Sequence, residues 1–383
     1  MGPGVNMPMD LENNLFMIPG PVKIHPRVLR VMSKPSMGHR TPEYRAMIKE
    51  MTELLQYLFQ SKNEVTLISG SGTAGTDCVM ANLMDKDDKA VVVHNGKFGE
   101  RLFEMAKFYG KGLEVKAPYS KAPDLNALAA MVEKEKPKLL VFCHNETSTG
   151  FTNEGAKIAK IAKDNDALLV LDGITAIGGI DVPCDKWGVD AAIFGSQKCL
   201  AAPSGLAGLC VSADAKKKIK DRSFYLHLRK HLDKWMKESD TPYTSAIPLF
   251  LAMHEALRML KEEGLENRIK RCAKLGEACR AGAKGVGLQM FPEKGYESNT
   301  VSAIRYPQGV ADDKFRNLLK DKFGVMVAGG QGEMKGQIFR IGHMGVCSFT
   351  DMIATWGAIE ATLKELGYKF EIGSGVGAVV KSL

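Results

Sequence analysis

Side chains capable of chemistry recur between residues 71 and 198. Lys198 closely follows an apolar run and Asp172 ends one, and Gly72 lies in a short Ser-Gly-Thr segment. An amine can attack a carbonyl carbon, a carboxylate in apolar surroundings requires a paired charge, and N–H groups at a helix start bind phosphate. The same stretch adds hydroxyls, a flat ring and an amide from Ser71, Thr73, Phe98, Thr147 and Gln197.

These side chains follow short, largely β-branched or apolar runs that we predict to be strands. Helical patterns such as Asp124–Lys134 lie between most of the runs, which predicts βαβ units and a mostly parallel sheet. In such sheets ligands bind beyond the carboxyl ends of the strands, so the side chains should meet at one edge. The predicted strands are Glu64–Ser69, Lys89–His94, Lys138–Cys143, Ala167–Asp172 and Ala191–Gly195.

The set of groups at this edge suits pyridoxal phosphate. The aldehyde of that cofactor condenses with a lysine amine, for which Lys198 is the candidate. Its ring nitrogen must stay protonated, which a carboxylate such as Asp172 would ensure. Phe98 offers a stacking face and Thr147 a hydroxyl for the phenolic oxygen, while the phosphate finds donors in the segment around Gly72 and in Gln197.

A dinucleotide site is the main alternative at the first predicted strand. Residues Gly70 to Gly75 fit the pattern G-x-G-x-x-G between a strand and a helix. A nicotinamide site also needs an acid at the end of the next strand, but the acids Asp85, Asp87 and Asp88 precede that strand. The loop therefore keeps its phosphate interpretation and loses the dinucleotide one.

Composition predicts an ordinary cytoplasmic protein with more than one domain. Its 383 residues exceed the about 250–300 at which a single core stops growing. No apolar stretch approaches the about 18 residues of a membrane span, and Met1 to Glu12 does not resemble a secretory signal. The eight cysteines form no Cys-x-x-Cys pair, so we expect reduced thiols and no metal site.

Residues 216 to 237 carry nine basic side chains and much of the net charge of +8. A nucleic-acid surface is one interpretation of this run. Hydrophobic residues such as Phe224 and Leu232 interrupt it, and no nucleic-acid motif accompanies it. We therefore expect a solvated helix beside an anion-binding site, with no nucleic-acid partner.

The division into domains follows the change of pattern along the chain. The X-Pro dipeptides at Pro19, Pro21 and Pro26 predict that the N-terminal segment is irregular. We place an N-terminal arm at residues 1–25 and a large domain at 26–263. A long helical stretch is interrupted at Gly264, and a smaller α+β domain follows at 264–383. The Gly- and Val-rich tail from Phe370 is expected to be loosely held.

Four motifs resemble the class V aminotransferases of fold type I, most of all the alanine–glyoxylate and serine–glyoxylate (serine–pyruvate) group. They are Ser69–Gly72, Glu146–Gly150, Asp172–Gly179 and Gly195–Lys198. The likeness extends over nearly the whole chain. It implies an α/β fold with a seven-stranded, mostly parallel sheet, a small α+β C-terminal domain and a homodimer with shared active sites.

The same resemblance implies a role for several residues. Lys198, which ends the most specific motif, would carry the cofactor as a Schiff base and, with Asp172, perform catalysis. Arg340 would hold the substrate carboxylate, and Gly20 would line the substrate pocket. The remaining cofactor contacts would be Ile174 and, reaching across to the neighbouring subunit's phosphate, Tyr243 and Thr244.

Three positions depart from the family pattern. Thr73 stands where some members have histidine, and Phe98 where they have tryptophan, so a donor and a flat ring are kept. Ala246 replaces a threonine of the alanine–glyoxylate enzymes near the shared phosphate site, and Thr244 is our substitute for that contact.

We expect transfer of an amino group from alanine, serine or aspartate to glyoxylate, pyruvate or 2-oxoglutarate by ping-pong kinetics. A biosynthetic phosphoserine or aspartate aminotransferase is one alternative, and a lyase or cysteine desulfurase is another. A desulfurase needs a mobile nucleophilic cysteine, for which Cys347 is the candidate near Arg340. A non-catalytic role within a larger assembly is a further alternative, against which the joint presence of Lys198, Asp172 and Arg340 argues.

Overall fold

The computed structural model describes residues 14–220 and 222–383, so the prediction about Met1 to Glu12 lies outside the described residues. The strands are β1 (Leu15–Phe16), β2 (Glu64–Ser69), β3 (Lys89–His94), β4 (Lys111–Lys116), β5 (Leu139–Cys143), β6 (Asn145–Glu146), β7 (Phe151–Thr152), β8 (Leu168–Asp172), β9 (Ala191–Gly195), β10 (Leu206–Val211), β11 (Val301–Arg305), β12 (Val325–Met326), β13 (Ala328–Gly329) and β14 (Ile338–Gly342). The five strands predicted from apolar runs are confirmed to within one residue at each end.

Helices fill most of the intervals between the strands. They are α1 (Pro26–Met32), α2 (Pro42–Phe59), α3 (Gly72–Leu83), α4 (Lys97–Tyr109), α5 (Leu125–Glu135), α6 (Gly155–Asp164), α7 (Cys184–Trp187), α8 (Ala213–Lys217), α9 (Leu228–Glu238), α10 (Ile247–Glu263), α11 (Leu265–Gly285), α12 (Asp312–Phe323), α13 (Phe349–Glu365) and α14 (Ser374–Ser382). In the described part of the chain, no helix is both long and apolar enough to cross a membrane.

The central sheet has seven strands in the order β2-β10-β9-β8-β5-β3-β4. Strand β10 is antiparallel to both of its neighbours, and the other pairs are parallel, which confirms the mostly parallel seven-stranded sheet. Asp172 is in register with Cys143 on one side and Ile193 on the other. The ends of the central strands therefore lie at one edge, as the predicted site requires.

Both faces of this sheet are covered. Along β8, Leu169 and Leu171 pack into one hydrophobic cluster, while Leu168 and Val170 pack into another on the opposite face. A strand buried on both faces needs apolar residues at every position. The unbroken apolar run that predicted this strand therefore has a direct physical cause.

A second, smaller unit follows α10. Its three-stranded antiparallel sheet, β11-β14-β13, packs with helices α11 to α14 around a separate hydrophobic cluster. Gly264 has a φ of +83° and separates α10 from α11. We propose the boundary between the large and small domains at this glycine.

Two expectations about the chain ends need correction. The N-terminal segment is not wholly irregular, because β1 lies in the arm and pairs with β12, and a helix begins directly after the arm at Pro26. The tail is not loose, since it forms α14 on the surface of α11. The carboxylate of Glu360 accepts the backbone N–H groups of Gly373 (2.6 Å) and Gly375 (2.7 Å), which anchors the start of this helix.

Candidate active site

A cavity of about 130 Å³ lies at the carboxyl edge of the central sheet. It brings together eight residues predicted from the sequence, namely Ser71, Gly72, Thr73, Phe98, Asp172, Ile174, Gln197 and Lys198. Thr76, Arg101, Leu102 and Met105 complete the lining and were missed. The missed residues lie one turn or more inside α3 and α4, so the signal for them was helical spacing from Thr73 and Phe98.

Lys198 projects from the turn that follows β9. Its Nζ donates to the carbonyl oxygen of Pro19 at 2.8 Å. Burial, and to a smaller extent the charge of Arg340, lowers the pKa of Lys198 to about 8. At pH 7 about a tenth of this amine is therefore uncharged, far more than at the ordinary pKa of 10.5, which favours its use as a nucleophile or base.

Gly20 lies directly against this lysine. Its φ is +110°, a conformation that side chains rarely adopt, and a Cβ built there would lie 2.5 Å from Cδ of Lys198. The arm therefore needs glycine at this position, because a larger residue would collide with the side chain of Lys198. The structure brings the predicted substrate residue Gly20 to the predicted catalytic residue.

Asp172 ends β8 and is nearly inaccessible to solvent. Its carboxylate accepts the N–H of Ile174 at 2.9 Å. Burial raises the pKa of Asp172 to about 6 despite that bond. A buried carboxylate is stabilised by a positive partner, which a protonated ring nitrogen would provide.

The start of α3, at Ser71, Gly72 and Thr73, offers hydrogen-bond donors that have no partner among the described residues, and we call this segment the cradle. Ser71 is the N-cap residue, yet its side chain makes no capping hydrogen bond. A Cβ at Gly72 would lie 2.5 Å from Cδ1 of Ile174, so glycine is needed for this close approach. Gln197 lines the same cavity, and the NH₂ group of its side-chain amide is a further hydrogen-bond donor. These features fit a phosphate group at the helix N-terminus.

Phe98 is held in place by a carboxylate that was not singled out from the sequence. Fully buried Glu146 accepts the backbone N–H groups of Phe98 (3.1 Å), Gly99 (2.9 Å) and Ser148 (3.1 Å). A negative charge at a helix start is favourable because of the unsatisfied N–H groups there. Glu146 thus fixes the beginning of α4 and the ring that lines the cavity.

Thr147 lies beside the cavity rather than in its lining. Its hydroxyl is 2.8 Å from the hydroxyl of Thr175, and its carbonyl oxygen accepts from Arg340 at 3.0 Å. Thr175 in turn donates to the carbonyl oxygen of Asn145 at 3.0 Å. The contact of Thr147 with the phenolic oxygen of the cofactor remains a prediction.

Arg340 is a buried cation in β14, with only 4% of its surface exposed. Its guanidinium donates to the carbonyl oxygens of Gly329 (2.8 and 3.0 Å) and Thr147 (3.0 Å), which are neutral acceptors. Across residues 14–220 and 222–383, no carboxylate forms an ion pair with it. Burial lowers the pKa of Arg340 to about 10. An anionic ligand would relieve this unpaired charge.

Tyr243 and Thr244 lie away from the cavity of their own chain. The hydroxyl of Tyr243 donates to the carbonyl oxygen of Phe224 at 2.7 Å, and its ring stacks on Tyr225. Thr244 is exposed, and Phe224 is 82% exposed. Their predicted role depends on a neighbouring subunit and stays a prediction.

Comparison with known proteins agrees with this geometry. The profile of the aminotransferase class-V family matches residues 28–349. An uncharacterised aminotransferase of Methanocaldococcus jannaschii is 39% identical, with 95% of this chain and 96% of the relative covered. The (S)-ureidoglycine–glyoxylate transaminase of Bacillus subtilis is 33% identical, covering 95% and 94%. Relatives named serine–, alanine– and L-aspartate–glyoxylate aminotransferases match at 29% to 33% identity.

The solved structures lead to the same family. The crystal structure of the Bacillus subtilis ureidoglycine–glyoxylate aminotransferase matches with a TM-score of 0.93 at 32% identity, covering 96% of this chain and 97% of that one. Because the two relatives named above cover 95% of this chain, the likeness includes both the central sheet and the smaller unit. The chain therefore belongs to the class-V aminotransferases and has their fold type I architecture.

Proposed function

We propose that the protein is a pyridoxal-phosphate-dependent aminotransferase that moves the amino group of a small L-amino acid to a 2-oxo acid. The observation that carries the proposal is the cavity in which Lys198 and Asp172 meet the helix start at Gly72. Arg340 is close enough for its charge to act on Lys198. An amine, a carboxylate, phosphate donors and a guanidinium are the groups that this cofactor and an amino acid require.

The residues of the cavity fit the cofactor. Ser71 and the first N–H groups of α3 are available to the phosphate, and Gln197, whose amide NH₂ group can donate, lines the same cavity. Asp172 would keep the ring nitrogen protonated, and Phe98 offers a ring face. When bound, pyridoxal phosphate supplies an aldehyde that condenses with amines and a ring that draws electrons from the substrate's α-carbon.

Lys198 has two tasks in this proposal. Its Nζ would hold the cofactor covalently until the amine of a donor took its place. The freed amine of Lys198 would then act as a base on the proton of the substrate's α-carbon and afterwards as the acid that returns a proton. The lowered pKa, about 8, favours this use because about a tenth of the amine is uncharged at pH 7, against a negligible fraction at the ordinary pKa of 10.5.

Arg340 would bind the α-carboxylate shared by donor and acceptor. Two neutral carbonyl groups fix the plane of its guanidinium, and no carboxylate in the described part of the chain forms an ion pair with it, although the charge of Glu146 offsets part of the effect of burial. A fixed fork can bind a carboxylate with two parallel hydrogen bonds. The substrate would thereby be oriented with its α-carbon toward Lys198.

Alanine, serine and aspartate are the proposed donors, and glyoxylate, pyruvate and 2-oxoglutarate the proposed acceptors. Glyoxylate ranks first among the acceptors because the names of several relatives include it. Phosphoserine is the alternative donor of a biosynthetic enzyme. We also propose a homodimer in which Tyr243 and Thr244 reach the neighbouring subunit's phosphate, and a cytoplasmic location, which suits eight unpaired cysteines.

A lyase or desulfurase function finds less support. Cys347 precedes the N-cap of α13, where Ser348 and Asp351 form a reciprocal capping box. Burial raises the pKa of the Cys347 thiol, so the nucleophilic thiolate is disfavoured. The segment is anchored rather than mobile. Sulfide release from cysteine at a rate comparable to transamination would reverse this preference.

The deciding experiment is a panel of donors against acceptors, followed by bleaching of the cofactor's visible band and by product formation. We expect ping-pong kinetics and turnover with at least one glyoxylate pair. Lys198→Ala should abolish turnover, whereas Lys86→Ala, an exposed lysine remote from the cavity lining, should not. Normal activity of Lys198→Ala, or a purified protein that binds no pyridoxal phosphate, would refute the proposal.

A further inference from the structure

We propose that Arg101 is an additional phosphate-binding residue, a guanidinium that pairs with the phosphate monoester of pyridoxal phosphate at the start of α3. The inference rests on the proposed cofactor and goes beyond it. It assigns the charge-neutralising role in the phosphate site to a side chain on a different helix from the cradle itself.

The position of Arg101 is set by two contacts with cavity-lining residues. Its Nη1 donates to the hydroxyl of Thr73 at 3.1 Å, and its guanidinium carbon lies 5.1 Å from the ring centroid of Phe98. Phe98 and Arg101 are three residues apart on α4, so they lie on the same face of that helix. The guanidinium is thereby held beside the first turn of α3.

Arg101 is exposed and forms no ion pair in the described part of the chain, although its charge is close enough to lower the pKa of Asp172. Glu104 follows at three residues on the same helix, a spacing that permits an ion pair. The guanidinium nevertheless bonds to the neutral hydroxyl of Thr73. The side chain is therefore oriented toward the cavity and retains N–H groups for an anion, which a guanidinium can bind in bidentate fashion.

The charges of the cavity-lining side chains indicate that this anion is the phosphate monoester. Among the described lining residues, the charged side chains are Asp172, Lys198 and Arg101. A protonated ring nitrogen would pair with Asp172, and Lys198 would give up its ammonium on condensing with an aldehyde. The other phosphate donors of the cradle are uncharged. A phosphate monoester carries between one and two negative charges near neutral pH, and Arg101 is the cation left to balance them.

The test compares two ligands that differ only in the phosphate. Apoprotein of wild type, Arg101→Gln and Arg101→Lys is titrated with pyridoxal phosphate and with pyridoxal, and binding is followed by absorbance. We expect Arg101→Gln to weaken pyridoxal phosphate binding by about tenfold to hundredfold and to leave pyridoxal binding unchanged. Arg101→Lys, which keeps the charge but loses the fork, should be intermediate.

Arg305→Gln is the matched control, because Arg305 also lies over an aromatic ring (4.7 Å from Phe291) but outside the cavity lining. Its affinity for both ligands should equal that of wild type. As a second readout, inorganic phosphate should raise the melting temperature of wild-type apoprotein more than that of Arg101→Gln.

Equal losses for both ligands, or no loss for pyridoxal phosphate, would overturn the assignment. An increased KM for aspartate with unchanged cofactor affinity would also overturn it, because the guanidinium would then serve a second substrate carboxylate. If wild type itself binds no pyridoxal phosphate, the proposed function fails. If wild type binds it and Arg101→Gln binds it equally well, only the role of Arg101 fails.

Discussion

Replacing Arg340 with glutamine should strongly decrease kcat/KM while leaving the free energy of unfolding almost unchanged. A substrate carboxylate would form two charge-assisted hydrogen bonds with the guanidinium, each worth about 1.5–3 kcal/mol. Losing both corresponds to a decrease of about 10² to 10⁴ in kcat/KM. The decrease should apply to every donor and acceptor, because all of them carry the α-carboxylate.

The effect on the free energy of unfolding should be small. Burial lowers the pKa of Arg340 from 12.5 to about 10. A cation whose pKa is lowered on folding destabilises the folded state below that pKa, here by about 3 kcal/mol at neutral pH. Glutamine removes this cost but loses N–H bonds to Gly329 and Thr147 worth about 1 kcal/mol each. The two changes nearly cancel.

Arg268 provides the matched control, because it is equally buried (4% exposed) but pairs with Glu263 at 2.7 Å. Arg268→Gln should lose about 1–3 kcal/mol of stability. Steady-state kinetics measure kcat/KM, and urea unfolding measures the free energy of unfolding. As a binding test, 2-methylalanine, which has no α-proton, should stabilise wild type against unfolding but not Arg340→Gln. A kcat/KM within about threefold of wild type would refute the carboxylate role, and destabilisation equal to that of Arg268→Gln would refute the burial argument.

Three further predictions concern residues that support the cavity, namely His144, Gly72 and Glu146. Burial lowers the pKa of His144 from 6.5 to about 4, so stability present above pH 6.5 should fall by about 3 kcal/mol as the pH approaches 4. Urea midpoints at pH 7 and 5 should differ less in His144→Gln than in wild type; an equal difference would contradict this. Gly72→Ala should weaken cofactor binding because its Cβ meets Ile174 at 2.5 Å, with recovery in the double variant carrying Ile174→Ala. Gly377→Ala, whose Cβ meets nothing within 4 Å, is the control. Glu146→Gln should lower the free energy of unfolding by about 1–3 kcal/mol and weaken cofactor binding, since buried N–H groups at the start of α4 lose an acceptor. A wild-type free energy of unfolding together with wild-type cofactor affinity would disprove the role of Glu146.

The strands missed from the sequence differ from the others in their surroundings. β4 is an edge strand that carries Lys111 and Lys116 toward solvent, so it shows no apolar run. β10 has Gly208 at its centre, where a Cβ would collide with the ring of Phe194. The ring of Phe194 on the neighbouring strand therefore requires glycine at position 208. In a sequence, a glycine within an apolar run indicates the end of a strand rather than its centre.

The tail shows how tertiary contacts override local propensity. Glycines at 373, 375 and 377 argue against a helix. The buried carboxylate of Glu360 nevertheless accepts N–H groups at the start of α14, and Gly375 lies so close to α11 that a Cβ would be 2.8 Å from Val286. Neither contact can be inferred from a pattern along the chain.

The sequence by itself determined that Lys198, Asp172 and Gly72 meet, because strands covered on both faces must be apolar and the polar residues can begin only where they end. Only the tertiary structure decided that Arg340 lies buried without an acidic partner, that Glu146 holds the start of α4 and that Arg101 bonds to Thr73. Those relations join residues far apart in sequence or on different helices. They depend on how the elements pack, and no spacing along one element encodes them.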